Sequence, residues 1–466
     1  MSNGYCVSEL FSCKDDLTYD DISILPGIIT DTDTSSNISL ETQLSRRIKL
    51  KIPIVSVSID TVFKADMAIA IASQGGIGII DCNNDPNNDP NEQADEVRKV
   101  KRYRNCMIDT PIVFGKNSTI KEFRDNLSKF PFSGFPITES GLLGSKLVGF
   151  ISREHVDRLS NISVMDKLTI DKIMTPINKL VFGTQDSSIE DHYQKIVDYD
   201  ISRLPIVDNL VNKNLIGLVC RKDLNHCRSF PKASLDGYGQ LLVGASVLSQ
   251  KDFELRVDLL AKAGVDILMV DSVLGVSISQ RNVIKYIKEN YPFIDVIAGN
   301  VVSVKQAKYL IESGVDALRL GSIYTTQDVC GVGRSNGSAL YHVSNYAKSR
   351  DIPVIACENI SCEGSSIGDS SSNIMKALAL GAHTVMVKSL VLTTELSDKN
   401  QFLVDEKTVK IYRDMMIDCA HKNIPCLISC LVKGLHNIGE HATSIENLHN
   451  SVEDGKITFV KRIVKH

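Results

Sequence analysis

Eight apolar runs, each three or four residues long, recur along this chain, and helical patterns ending in glycine separate the later ones. The runs are Ile54-Val55-Ser56, Ile77-Gly78-Ile79-Ile80, Leu241-Leu242-Val243-Gly244, Ile267-Leu268-Met269-Val270, Val296-Ile297-Ala298, Ala317-Leu318-Arg319-Leu320, Val354-Ile355-Ala356 and Val385-Met386-Val387. Runs so short and so apolar fit strands buried on both faces, as in a parallel sheet. Helical spacing over Leu255 to Ala263, Val304 to Ser313 and Asn373 to Leu380 leads to Gly264, Gly314 and Gly381, the residue type that closes helices in the left-handed region. This is a βα rhythm, and eight units suit a closed (β/α)8 TIM barrel, whose reacting groups sit on the loops after the strands. An open doubly wound sheet remains the competing reading of the pattern alone.

The rhythm breaks between the second and third runs, from about Arg98 to Asp236, a distance too long for a connection and long enough for a domain. That stretch repeats itself. Phe135-Pro136-Ile137-Thr138 leads to Leu147-Val148-Gly149-Phe150-Ile151-Ser152, and Leu204-Pro205-Ile206-Val207 leads to Leu215-Ile216-Gly217-Leu218-Val219-Cys220. Each half reads as strand, turn, strand, polar cap, helix. The expected organisation is residues 1–97 as the first part of the barrel, 98–236 as a tandem insert (98–165 and 166–236), and 237–466 as the remainder with a C-terminal helix.

Composition removes several classes. Hydrophobic residues at 43% and charged residues at 23% describe an ordinary globular chain, not a disordered one. Lys plus Arg 52 against Asp plus Glu 56 gives a net charge of −4, so no whole-chain basic field signals nucleic acid. The 12 cysteines include no Cys-x-x-Cys pair, which points to reduced thiols in the cytoplasm, with the nucleus as second choice. No histidine pair has metal-ligand spacing, so no metal site is expected, and no uninterrupted apolar segment is long enough to span a membrane.

Five further groups of residues carry a family resemblance. Leu17-Thr18-Tyr19-Asp20-Asp21-Ile22-Ser23-Ile24-Leu25-Pro26-Gly27, Asp60-Thr61-Val62 and Gly75-Gly76-Ile77-Gly78 come first; Ala298-Gly299-Asn300-Val301-Val302 and Lys376-Ala377-Leu378-Ala379-Leu380-Gly381-Ala382 follow. In this order they resemble the IMP dehydrogenase / GMP reductase family, closest to the IMP dehydrogenases. The insert is similar to that family's tandem CBS (Bateman) module, a sensor of purine nucleotides.

The resemblance implies a (β/α)8 barrel that oxidises IMP to XMP with NAD, a step in guanine nucleotide synthesis. A cysteine thiolate attacks the purine, hydride passes to the nicotinamide, and a mobile flap assists hydrolysis of the adduct; a monovalent cation is held by glycine carbonyls. Several motif positions depart from this pattern. The family's Gly-Ser-Ile-Cys-Thr-Thr is Gly321-Ser322-Ile323-Tyr324-Thr325-Thr326 here, so Tyr324 stands at the nucleophile position beside Thr326, and the cation's glycines are missing. A phenol that ionises near pH 10 is no substitute for a thiolate. The family's Asp-Gly-Gly is Cys357-Glu358-Asn359, its Gly-Ser is Lys388-Ser389, and no glycine stands in the short segment Leu396 to Glu406 where the flap is expected.

Residue by residue, the resemblance assigns substrate contacts to Ser322, Glu358, Lys388 and Ser389 and NAD contacts to Asp271, Ser272 and Asn300. At the CBS module it assigns adenine or guanine nucleotide contacts to Glu154, Arg221, Lys222 and Asp223, the acids gripping a ribose. Glu154 and Asp223 serve equally as charges favouring a helix N-terminus. Cys330 and Cys357 are the candidate replacement thiols, with burial in the core as the plainer reading. The resulting expectation is a homologue without the family reaction, acting as a regulatory or assembly subunit or nucleotide sensor. Its expected partners are purine nucleotides and other subunits, as a homo-oligomer (tetramer or octamer) or with an active relative. The alternative is an active purine nucleotide oxidoreductase with a rearranged site.

Overall fold

The structure, a computed structural model, describes the chain except residues 1–3, 13–15, 30–37, 58–64, 83–88, 104–106, 109–110, 128–133, 158–167, 222–223, 226–229, 250–252, 273–275, 322–332, 358–366, 388–423 and 462–466. Two compact units emerge: Met1–Tyr103 with Lys232–His466, and Arg104–Pro231.

In the first unit eight parallel strands close into a barrel: Ile54–Val57, Ile77–Ile80, Val243–Leu248, Ile267–Asp271, Asp295–Val301, Ala317–Leu320, Val354–Ala356 and Thr384–Val387. They are called the first to eighth barrel strands below. Closure comes from the eighth strand pairing with the first, Val385 opposite Ile54. All eight apolar runs lie in or at these strands. The third starts two residues later than the apolar run and extends through Ser246 to Leu248, because Leu241 and Leu242 precede the ladder. The helix read from Asn373 begins earlier and spans Ile367–Ala379.

Strand alternation sorts the core into two layers. Val55, Ile79, Met269, Ile297, Ile355 and Met386 share an interior cluster. Ile54, Val243, Val270, Leu318 and Val387 face the surrounding helices in a second cluster. Gly264, Gly314 and Gly381 sit at φ +88°, +97° and +106°, where a side chain would be strained, and so let each helix turn directly into the next strand.

Behind two of these glycines the sequence repeats as Gly-Val-Asp. Asp266 Oδ2 accepts the Val243 N–H at 2.8 Å, and Asp316 Oδ2 accepts the Val296 N–H at 2.8 Å, so each carboxylate satisfies an amide in the first two residues of the preceding strand. Each also has a cation. Lys101 lies 2.6 Å from Asp266 and 3.0 Å from Asp236, and Lys288 pairs with Asp316. A hairpin, Thr42–Gln43 with Lys49–Leu50, plugs the same end of the barrel with Leu44 and Leu50. Its Ser45 Oγ and Arg47 Nε donate to buried Asp295 at 2.5 and 2.6 Å. At the chain's end, Ile424, Leu427, Leu431 and Leu435 of the helix over 424–438 are buried, which places that apolar stripe in the barrel unit's core.

The second unit holds two four-stranded sheets. One runs Thr175–Pro176, Leu147–Ser152, Gly134–Thr138, Phe114–Gly115; the other runs Gly183–Thr184, Arg203–Val207, Leu215–Cys220, Met107–Ile108. Each sheet borrows an edge strand from outside its own hairpin, which interlocks the halves. Leu147, Val207 and Leu215 form a shared core between them. Within the first half Phe114, Phe123 and Phe135 meet edge to face, with ring centroids 5.1 to 5.5 Å apart. Among the described residues no helix is long and apolar enough to cross a membrane.

Candidate functional site

Side chains that leave the barrel strands at their C-terminal ends converge where barrel chemistry is carried out. The fourth strand ends in Asp271. Its Oδ1 accepts the Ser272 N–H at 2.8 Å and its Oδ2 accepts from Arg319 Nη1 at 2.6 Å. Arg319 lies on the sixth strand, is only 2% exposed, and reaches Asp271 across the intervening fifth strand. Gly299 clears the path: a Cβ there would stand 2.4 Å from the Arg319 carbonyl oxygen and 2.8 Å from its Cβ.

The other edge of the same guanidinium faces the seventh strand. Arg319 Nε and Nη2 both donate to Cys357 Sγ at 3.3 Å, so the sulfur takes the fork that a carboxylate would accept. Burial works against the Arg319 charge, but Cys357 and Asp271 beside it outweigh that and raise its pKa above the ordinary value. Cys357 is itself 2% exposed.

Two glutamines brace the rim, each from the helix that follows its strand. Gln93 Nε2 donates to Ile80 O at 2.9 Å and Ser246 O at 3.0 Å, while its Oε1 accepts from Arg256 Nη1 at 2.6 Å. Gln280 Nε2 donates to Val270 O at 2.9 Å and Gly299 O at 2.5 Å, but its Oε1 has no partner. Buried Asn300 is likewise left with an unpartnered Oδ1. Near Gln93, Ser246 Oγ donates to Asp81 Oδ1 at 2.6 Å, and the neighbouring Cys82 thiol is pushed up to about 11, chiefly by burial. That thiol is protonated and inert at neutral pH.

Of the sequence-derived candidates at the barrel, Asp271, Ser272 and Asn300 are brought to this rim. Ser322, Tyr324, Thr326, Glu358, Lys388 and Ser389 lie outside the described residues, as do Cys330 and the segment from Leu396 to Glu406. Sequence reasoning missed Arg319, Asp81, Gln93 and Gln280. The signal for the first two was present: a charge inside or directly after an apolar run must find a partner or serve a site.

In the insert, Glu154 is exposed on the short helix Arg153–Asp157. Arg221 Nη2 donates to Ile196 O at 2.8 Å and to Asp200 Oδ1 at 2.9 Å. Lys222 and Asp223 lie outside the described residues. Sequence reasoning also passed over His155, whose Nδ1 lies 2.7 Å from Ser152 Oγ and whose Nε2 lies 3.1 Å from Thr175 Oγ1.

A closed parallel barrel of eight strands, with a cluster of polar groups at its C-terminal rim, defines a TIM-barrel protein. More narrowly, the chain belongs to the IMP dehydrogenase / GMP reductase family, whose domain model matches residues 16–458. It is 35% identical to inosine-5'-monophosphate dehydrogenase of Caenorhabditis elegans, covering 99% of this chain and 93% of that one. The enzyme of the same name from Toxoplasma gondii is 37% identical, over 89% of this chain and 72% of its own. Among solved structures, GMP reductase from Trypanosoma brucei in complex with guanosine 5'-triphosphate is similar, with a TM-score of 0.75 and 30% identity over 98% of this chain and 100% of that one.

Proposed function

We propose that this family member has lost the family's oxidation of IMP and serves as a regulatory or assembly subunit that senses purine nucleotides through a tandem CBS insert at 98–236. The observation that carries the reading is Cys357. It stands where the family places its ribose carboxylate, and its sulfur is buried and turned onto Arg319. The motif position of the family nucleophile is Tyr324, a phenol too weakly acidic to attack. Thiol and carboxylate are thus both replaced at the positions the chemistry uses.

NAD is the family's hydride acceptor, and Asp271, Ser272 and Asn300 would hold it here. The buried, unpartnered Asn300 Oδ1 fits an amide N–H donor such as the cofactor's carboxamide. The family's monovalent cation has no matching donor set, since Gly321 runs directly into Ser322 without the glycines that supply carbonyls. The proposed assembly is a tetramer or octamer of this chain, or a mixed one with an active relative, in the cytoplasm.

The Asp271 to Arg319 ion pair favours a second reading, an active purine nucleotide oxidoreductase with a rearranged site. Purified full-length protein decides between the two. Given IMP with NAD, or GMP with NADPH, it should give no change in reduced cofactor. Robust turnover abolished by Cys357→Ala would overturn the first reading. Thermal shifts measured separately with IMP, NAD, ATP and GTP then locate any live site, because a ligand that binds only the native state raises its melting temperature. Stabilisation by ATP or GTP is expected.

A further inference from the structure

Two thiols stand about one turn apart near the surface of the helix over 424–438. Ile424, Leu427, Leu431 and Leu435 bury one face of that helix in the barrel unit, which leaves Cys426 exposed and Cys430 half-buried. Cysteine is among the most buried residue types, so two free thiols four residues apart on an outward face are unusual. Other cysteines of the molecule behave differently. Cys82 is buried with its thiol pushed up to about 11, and Cys357 is buried against Arg319.

Helix geometry decides what such a pair can do. Side chains four residues apart in a helix have Cβ atoms about 5–6 Å from each other. A disulfide needs about 3.5–4.5 Å, so joining the sulfurs directly would distort a helix that its four apolar anchors hold in place. An ion between the sulfurs fits better. With each bond about 2.3 Å long, as in zinc thiolates, two bonds bridge up to about 4.6 Å. Among the described residues no third His, Cys, Asp or Glu joins the pair in a group that could hold a metal. Two sulfurs are therefore the donor set, which suits a soft ion of low coordination number rather than a four-ligand structural zinc.

We infer that Cys426 and Cys430 form a dithiol site for one soft, thiophilic ion, with trivalent arsenic as its chemical type. Docking of the helix presets the spacing, so the second sulfur closes on an ion that the first already holds. With an organic arsenoxide the step involves no change of oxidation state. Two As–S bonds form, the arsenic–oxygen double bond breaks, and the oxygen leaves with both thiol protons as one water.

Treating the folded full chain with one equivalent of phenylarsine oxide tests the site. Cys426 and Cys430 fall in one tryptic peptide, residues 423–433, bounded by Lys422 and Lys433. Mass spectrometry of the digest should find that peptide carrying one phenylarsenic bridge, with both thiols shielded from iodoacetamide. This readout needs no variant. Cys426→Ser and Cys430→Ser should each remove the bridge and weaken capture about 100-fold, the loss expected when a two-point attachment becomes a single one. Diamide, a thiol oxidant, should make no disulfide within 423–433 while the chain is folded. An arsenical that settles on other cysteines, a variant that captures it as tightly as the wild type, or ready disulfide formation in the folded chain overturns the inference.

Discussion

The two ends of the barrel spend their buried polar groups differently. At the N-terminal end three carboxylates, Asp266, Asp295 and Asp316, each meet a cation: Lys101, Arg47 and Lys288. Two of them also accept a backbone amide near the start of a neighbouring strand. At the C-terminal end one guanidinium, Arg319, divides its donors between Asp271 and a thiol, while Gln280 Oε1 and Asn300 Oδ1 go without partners. Buried oxygens without partners occur at both ends, Thr384 Oγ1 at the opening of the eighth strand among them, so what sets the C-terminal rim apart is that its two are carboxamide acceptors gathered near the Asp271 to Arg319 pair. The difference teaches that the two ends of one barrel are built for different tasks, ion pairs that pin the strands at one and a shared guanidinium with open amide acceptors at the other.

The comparison is tested most severely by removing a cation from the stable end. Lys101 joins Asp236 to Asp266 from a position only 5% exposed. Burial already raises the Asp266 pKa, with Lys101 opposing the rise. Lys101→Met is expected to lower unfolding free energy by about 3–5 kcal/mol, the usual consequence of breaking a buried pair. Denaturant titration measures it, and a loss below about 1 kcal/mol would place this triad among ordinary surface bridges.

Acid should act on the same end. His383 and His449 lie beneath the seventh and eighth strands with ring centroids 5.1 Å apart; His383 Nδ1 faces the Val354 N–H and His449 Nε2 faces Ala382 O. Burial first, then His449 and Lys348 nearby, push His383 down to about 3, and burial lowers His449 as well. Above pH ~6.5 both rings are neutral whether folded or not, and stability is flat. Below it the unfolded chain binds protons that the folded one refuses, so stability falls as pH drops from about 6.5 toward 3. The slope approaches ~1.4 kcal/mol per pH unit for His383, and His449 adds in the same direction. Thermal melts of wild type and His383→Gln between pH 7 and pH 4 should diverge, and parallel curves would remove His383 from the account.

At the C-terminal end Gly299→Ala probes the passage of Arg319. The new Cβ would lie 2.4 Å from the Arg319 carbonyl oxygen, a backbone contact that cannot rotate away. Overpacking of this kind destabilises by about 1–3 kcal/mol. A variant as stable as the wild type would mean that the fifth and sixth strands part easily.

Legibility in the sequence followed the same divide. Strands were readable because their apolar runs are local, and Gly264, Gly314 and Gly381 marked where the intervening helices end. The third strand was placed early because Leu241 and Leu242 look like ladder residues while Ser246, an interior polar group, does not. The plug was invisible: two-residue strands carry no period. At the site, Asp271 and Asn300 were found through motif resemblance, but the Arg319 to Cys357 contact joins residues 38 apart in sequence, and no spacing announces it.

The smallest expected effect has the sharpest sign. Asn300→Leu replaces an amide whose Oδ1 is buried without a partner, so stability should stay level or rise by up to about 1 kcal/mol. Its counterpart, Thr42→Val, removes a hydroxyl that donates to His383 O at 2.7 Å and should lose about 1 kcal/mol. Melting temperatures of the pair decide the matter, since opposite signs are what a ligand-facing end and a structural end require. If Asn300→Leu destabilised as much as Thr42→Val, the amide would be holding the fold, and the C-terminal rim would be as structural as the plug. If it also abolished any NAD-dependent shift while raising the melting temperature, the unpartnered oxygen would be kept for that ligand at the expense of stability.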